Sequence, residues 1–158
     1  AGLSVAGLTT AGGVLLALDW GMARIGVAAC DAQRILAYPV DTIQNTPKDP
    51  AQVMRRVREL VSEYEPVEVV LGLPISLQGD EGIAARAMRE VAKSLAVELG
   101  DVALTLVDER LTSATAHQRL SQAGKNSRQR RGMIDQMAAV AILEQALAEG
   151  NGTTSEEL

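Results

Sequence analysis

The chain has 158 residues, of which 47% are hydrophobic and 22% are charged, and its formal net charge is −5. This length and balance predict a single globular domain with a hydrophobic core. The negative net charge argues against a protein whose whole surface binds a polyanion, although a local basic patch can still do so. One cysteine, Cys30, excludes an intramolecular disulfide, and with the single His117 it cannot form a zinc site of the cysteine and histidine type. Any metal must therefore be held by oxygen ligands.

The two ends of the chain differ in composition from its middle. The first basic residue is Arg24, so the glycine-rich opening lacks the charged region of a signal peptide, and no apolar run approaches the roughly 20 residues of a membrane span. We predict a cytoplasmic protein without a membrane segment. Residues 1–13 are expected to form a flexible start, residues 14–149 the folded domain and residues 150–158 a flexible tail.

Strand-like and helical segments follow one another along the predicted domain. Short apolar runs bounded by turn residues predict five strands, at residues 14–19, 24–30, 34–43, 67–74 and 102–110. Helical spacing predicts helices over 49–64, before Gly100, over 112–120 and over 134–149, and residues 123–132 are expected to form a loop.

Two of these helices carry an apolar stripe. Asp49 can cap the first helix and Pro50 suits its first position, and Pro66 would end it. Its stripe consists of Val53, Met54, Val57, Leu60, Val61 and Tyr64, and that of the second helix consists of Ala84, Ala87, Met88, Val91 and Leu95.

The order of the elements predicts an α/β fold, in which three strands form a meander and the later strands alternate with helices. This order is typical of a mixed sheet with helices on both faces. Ligands of such sheets bind beyond the carboxyl ends of the central strands. The stretch "VLLALDWGMARIGVAACD" ends its first apolar run at Asp19, which is such a position, and Gly21 and Gly26 would allow close backbone passage nearby.

Acidic residues stand at three places that this fold would bring to one edge of the sheet. Asp19 ends the first strand, and Asp108 and Glu109 end the fifth. Asp135 begins the last helix and shares a face with Ala139, Ile142 and Ala146, so it is expected to point inward. Alone, Asp19 could be a turn residue, Asp135 could simply favour the start of its helix, and Asp108 and Glu109 could pair with Arg110 or Arg24. Together they would repel one another unless a divalent cation, Mg²⁺ or Mn²⁺, neutralised them.

Four ordered segments, "LALDWGMARIGVAACD", "VVLGLP", "VDERLTSATA" and "IDQMAAVAIL", resemble the signature segments of the YqgF/RuvX family. The resemblance covers residues 15–147. It implies a ribonuclease H-like, five-stranded mixed sheet and a nuclease dependent on Mg²⁺ or Mn²⁺. Its catalytic carboxylates would be Asp19, the acid of "DER" and Asp135, with Glu109 preferred to Asp108 as a metal ligand.

The mechanism that this resemblance implies is phosphodiester hydrolysis with two divalent ions about 4 Å apart, and no protein nucleophile is required. Positive charge would hold the substrate backbone near the acids. Arg24 and Arg110 adjoin the acidic segments, and the predicted loop before Asp135 contributes Lys125, Arg128, Arg130 and Arg131, although a basic loop can also be merely solvated.

The resemblance implies structured nucleic acid as the substrate, most directly the 5′ end of pre-16S rRNA. Resolution of a four-way DNA junction is the alternative, which normally requires a dimer, and the sequence allows either a monomer or a homodimer. Two hypotheses from other classes stay open. "LDWG" also resembles the phosphate-binding turn of actin-like and sugar-kinase folds, which suggests nucleotide binding, and the basic loop alone would suit a non-catalytic RNA-binding protein.

Overall fold

A computed structural model describes residues 7–74, 81–109 and 127–157 of the chain. Five strands lie in this part, at or within a few residues of the predicted positions: β1 Leu15–Trp20, β2 Arg24–Cys30, β3 Ala37–Gln44, β4 Glu68–Leu73 and β5 Ala103–Asp108. The helices are α1 Pro50–Tyr64, α2 Ile83–Leu99 and α3 Ser127–Glu157. The predicted short helix over 112–120 lies outside the described residues.

The strands form one mixed sheet in the order β3-β2-β1-β4-β5. β1 is antiparallel to β2, and β2 is antiparallel to β3, as in a meander. β4 is parallel to both β1 and β5, so these three strands end at the same edge of the sheet. The predicted five-stranded mixed sheet is confirmed, and β1 is its central strand.

Helices cover both faces of the sheet, as predicted. α1 and α2 pack on one face, where Leu16, Leu18 and Leu71 belong to the larger core cluster. α3 packs on the other face, against Leu15, Ala17 and other residues of a second cluster. Within the described ranges, none of these helices combines the length and apolar character needed to cross a membrane.

α1 follows the prediction and α2 departs from it in part. Asp49 caps α1 by accepting a hydrogen bond from the backbone N–H of Gln52, 3.2 Å away. In α2, Leu95 is buried, but Ala84 and Ala87 are exposed, so their predicted inward position is wrong. The buried stripe of α2 consists of Ala85, Ala92, Leu95 and Leu99, because the larger leucines decide which face packs and alanine carries a weak signal.

α3 is longer than predicted. It begins at Ser127 and ends at Glu157, so it includes part of the segment 123–132 that the sequence assigned to a loop, and also most of the predicted tail. Arginine, glutamine, alanine and glutamate favour helices, whereas each of the glycines in this segment disfavours one by about 1 kcal/mol. Because of these glycines, the sequence predicted a helix that begins later and ends earlier than α3 does. The predicted face is confirmed, since Ala139, Ile142 and Ala146 are all buried.

A buried carboxylate holds part of the amino-terminal segment. Glu68 at the start of β4 is 0% exposed and accepts hydrogen bonds from the backbone N–H groups of Thr9 and Thr10, the latter at 3.0 Å. The hydroxyls of Thr10, at 2.6 Å, and of Thr105 also donate to it. Arg34 donates to the carbonyl oxygen of Thr10 at 2.6 Å. Residues 9 and 10, predicted to be flexible, are therefore anchored, because a buried acid needs donors.

Substitution of Glu68 by glutamine should lower the free energy of unfolding by about 2 kcal/mol at pH 7. Burial raises the pKa of Glu68, but the hydrogen bonds outweigh it and hold the pKa below the ordinary 4.5. The stabilising contribution is therefore complete above pH 4.5 and is lost as the pH falls through the lowered pKa. Urea unfolding between pH 7 and pH 3 checks this, with Glu63→Gln on the exposed side of α1 as the control. A loss that stayed constant with pH would contradict it.

Candidate active site

Two of the predicted acids meet at the edge of the sheet where β1, β4 and β5 end. Asp19 is the second-last residue of β1 and pairs with Gly26 of β2. Glu109 follows β5 directly, and its backbone N–H donates to the carbonyl oxygen of Leu73 at 3.3 Å. The side chains of Asp19 and Glu109 share a hydrogen bond. The convergence predicted for these two carboxylates is therefore present.

The surroundings of this pair favour the protonated form. Burial and the negative charge of Asp135 raise the pKa of Asp19 from 3.8 to about 6. Burial raises the pKa of Glu109 from 4.5 to about 7, with further contributions from Asp19 and Asp108. Two carboxyl groups in such a site share a proton because both cannot be ionised at low cost. A cation placed between them would remove that cost.

Asp108 lies on the other side of the sheet plane from Glu109. Strand residues alternate between faces, and Leu106 of β5 belongs to the core under α1 and α2, whereas Val107 belongs to the core under α3. Alternation therefore places Asp108 on the face of Leu106 and Glu109 on the face of Val107. Of the two adjacent acids Asp108 and Glu109, Glu109 is therefore the one that faces α3.

Asp135 enters the site from α3 and is held by an arginine. The Nε of Arg24, at the start of β2, donates to its Oδ2 at 2.6 Å. The sequence suggested Arg24 as a partner of the acids at the end of β5 or of a phosphate, but in the structure Asp135 is its partner. The negative charge of Asp135 still acts on Asp19, so the third predicted acid lies near the pair.

Known proteins resemble this chain in sequence over most of its length. The family model RuvX, described as "Holliday junction resolvase", matches residues 13–149. The chain belongs to the RuvX family. A Cutibacterium acnes protein is 50% identical over 137 residues, which are 87% of this chain and 83% of that protein. A Streptomyces coelicolor protein is 52% identical over 132 residues, 84% of this chain and 78% of that protein. Both are named "Putative pre-16S rRNA nuclease".

The fold is also that of a solved RuvC structure. The structure described as "T. thermophilus RuvC in complex with Holliday junction substrate" superposes with a TM-score of 0.55 at 17% identity, over 89% of this chain and 97% of that one. This likeness confirms the ribonuclease H-like fold. Family and relatives together identify the chain as a nuclease, an enzyme that hydrolyses phosphodiester bonds.

The donor set of this RuvX-family site suits a divalent cation in part. Carboxylate oxygens are the preferred ligands of Mg²⁺ and Mn²⁺, and Asp19 and Glu109 are close enough to bind one ion together. Within residues 7–74, 81–109 and 127–157, no three acidic, histidine or cysteine side chains are grouped closely enough to hold a metal. Asp135 is bonded to Arg24 instead. The structure thus presents a pair of carboxyl groups as candidate ligands, with a third acid nearby.

The other predicted substrate-binding residues cannot be placed. Arg110 and Lys125 lie outside the described residues. The structure describes the helical backbone of Arg128, Arg130 and Arg131 in α3 but not their side chains.

Two site residues were missed by sequence reasoning. Asn45 donates from Nδ2 to the carbonyl oxygen of Gly21 at 2.7 Å, and so holds the turn between Asp19 and Arg24. No sequence pattern announces this contact. Gly72 lies beneath Glu109, and an isolated glycine inside an apolar strand was the signal that could have found it.

Replacement of Gly26 by alanine should destabilise the protein by about 3 kcal/mol. A Cβ at this position would overlap the backbone carbonyl of Asp135, which cannot rotate away as a side chain can. The close passage predicted at Gly26 is thus confirmed. Thermal unfolding measures the loss, with Gly12→Ala as the control, because a Cβ there meets nothing within 4 Å. Equal melting temperatures for the two variants would contradict this account.

Proposed function

We propose that this RuvX-family nuclease acts on pre-16S rRNA and uses Mg²⁺ or Mn²⁺ bound by Asp19, Glu109 and Asp135. The observation that carries the proposal is the Asp19–Glu109 pair, two partly buried carboxyl groups that share a hydrogen bond at the carboxyl ends of β1 and β5. The names of the relatives support the substrate. When bound, the cation would supply Lewis-acid activation of water and stabilisation of the leaving oxygen.

The residues of the chain have separate tasks in this proposal. Asp19 and Glu109 would release their shared proton to solvent and hold the cation. Asp135, whose charge acts on Asp19, would exchange its bond to Arg24 for a place among the ligands. The guanidinium of Arg24, one-third exposed, would then be available to bind a phosphate of the substrate.

Basic residues near the start of α3 are proposed to bind the nucleic-acid backbone. Arg131 lies four residues before Asp135, which is about 6 Å along a helix axis. Arg128 and Arg130 precede it in the same helix, and we assign the same role to Lys125 and Arg110. Backbone contacts of this kind fit a structured substrate, since the chain has only three aromatic residues on which bases could stack.

Resolution of four-way DNA junctions is the second candidate, and the description of the family favours it. A resolvase must cut two strands symmetrically and therefore acts as a homodimer, whereas RNA trimming needs only a monomer. We place either activity in the cytoplasm, where the single buried Cys30 would stay reduced.

The deciding experiment offers the purified chain two substrates, an RNA with the 5′ extension of pre-16S rRNA and a synthetic four-way DNA junction, each with Mn²⁺ or with EDTA. We expect shortening of the RNA in Mn²⁺ alone, and products from 5′-labelled and internally labelled RNA distinguish exonuclease from endonuclease action. Cleavage of the junction alone would favour the resolvase. Products that persist in EDTA would overturn the metal proposal, and no product from either substrate would overturn both candidates.

A further inference from the structure

Gly72 is a residue of β4, the strand that lies between those of Asp19 and Glu109. β4 separates β1, which bears Asp19, from β5, which precedes Glu109. The register pairs Leu71 with Leu18 and Gly72 with Val107, so Gly72 is level with Asp19, which follows Leu18, and lies two residues before the level of Glu109. Neighbouring strands lie about 4.8 Å apart, so β1 and β5 are separated by roughly 10 Å. Side chains from these two strands can share a hydrogen bond only by meeting above β4.

The place where they meet is the space that a side chain at position 72 would fill. A Cβ built on Gly72 would lie 2.5 Å from Oε2 of Glu109 and 2.7 Å from Cδ1 of Ile142 in α3. Gly72 therefore faces α3, and the carboxylate of Glu109 lies directly over its backbone. Asp19 shares this face, because it alternates with Leu15 and Ala17, which pack under α3.

Backbone conformation does not explain this glycine. The described glycines with positive φ are Gly13 and Gly100, whereas Gly72 has the strand backbone that any residue adopts. A glycine inside a strand weakens it, since it has no side chain to pack and gains entropy on unfolding. What the position gains in return is room for the Glu109 carboxylate.

We propose that Gly72 is a positioning residue of the active site, whose missing side chain lets Asp19 and Glu109 meet across β4 as one pair of metal ligands. This inference rests on the proposed metal-dependent nuclease function. Alanine at position 72 would push the Glu109 carboxylate away from Asp19 while leaving both acids in the protein.

The test combines Gly72→Ala with two second substitutions that relieve different contacts. Gly72→Ala should weaken Mn²⁺ binding, measured by calorimetry without substrate, by about 10- to 100-fold, as is typical for residues that support metal ligands. Glu109→Asp withdraws the carboxylate by one methylene and should restore part of this loss, so that the double variant binds better than the two single losses predict. Added to Gly72→Ala, Ile142→Val removes only the contact with Cδ1. It should restore the melting temperature of the protein without restoring its Mn²⁺ affinity.

Three outcomes overturn the inference. Wild-type Mn²⁺ affinity in Gly72→Ala would mean that the Glu109 carboxylate does not need this space. Rescue of Mn²⁺ binding by Ile142→Val but not by Glu109→Asp would mean that Gly72 serves only the packing of α3. If the wild-type protein itself neither bound Mn²⁺ nor cleaved, the proposed function would fail with it, and the wild-type control separates that result from the other two.

Discussion

Asp19→Asn is expected to reduce metal-dependent cleavage by at least about 10³-fold, equivalent to about 4 kcal/mol of transition-state stabilisation. Asparagine has the same shape as aspartate but lacks the charge that holds a cation. Asp19 is the central member of the group, because it shares a hydrogen bond with Glu109 and its pKa is raised by the charge of Asp135. Binding of the substrate in EDTA should change little, because Asp19 contributes no positive charge.

Single-turnover cleavage and filter binding measure these two quantities on the same preparation. Asp101→Asn is the matched control, because Asp101 is exposed and lies two residues before β5, at the end of that strand opposite to Glu109. Unchanged cleavage by Asp19→Asn would remove this residue from the mechanism. Parallel loss of cleavage and binding would indicate a folding defect instead.

Glu109→Gln should lower cleavage by about 10²- to 10³-fold, whereas Asp108→Asn should lower it by less than about tenfold. The two acids are adjacent in sequence, but strand alternation places Glu109 on the α3 face with Asp19 and places Asp108 on the opposite face. The matched pair of variants therefore separates a ligand from a neighbour. An equal or larger loss with Asp108→Asn would assign the ligand role to Asp108.

The same Glu109 variant should be more stable than the wild type in EDTA at pH 8. An acid whose folded pKa is raised, here from 4.5 to about 7, binds more protons in the folded than in the unfolded state over that interval. Wild-type stability therefore falls as the pH rises from about 4.5 to about 7, and the penalty stays above that range. Melting temperatures at pH 5 and pH 8 check this, and a wild-type advantage at pH 8 would contradict it.

The sequence predicted the sheet and the converging acids because both depend on local patterns. Short apolar runs and a helix with a clear cap define β1 to β5 and α1, and parallel strands bring Asp19 and Glu109 to one edge. The preference for Glu109 over Asp108 as a metal ligand came from family resemblance. Strand alternation supplies its physical reason only once the limits of β5 are known.

The remaining features depend on contacts that no local pattern encodes. Arg24 bonds Asp135, 111 residues away, whereas the sequence suggested Asp108 and Glu109 as its partners. The donors to Glu68 come from Thr9 and Thr10, which are adjacent, and from Thr105, two parts of the chain that are both far from Glu68 in sequence. The role of Gly72 requires knowing that β4 lies between β1 and β5, which the order of elements along the chain does not state.

The acids at the two ends of β4 have pKa values shifted in opposite directions, which bears on how functional acids can be recognised. At the start of β4, Glu68 is surrounded by donors that favour its ionised form, so its charge is stabilised where it lies. Four residues later, the strand passes beneath two acids that would repel each other if both were ionised, a frustrated arrangement that the rest of the fold must stabilise. One strand thus joins a minimally frustrated end to a frustrated one. Burial raises the pKa of all three acids, and the balance between hydrogen-bond donors and neighbouring charges decides whether the net shift is downward, as in Glu68, or upward, as in Asp19 and Glu109.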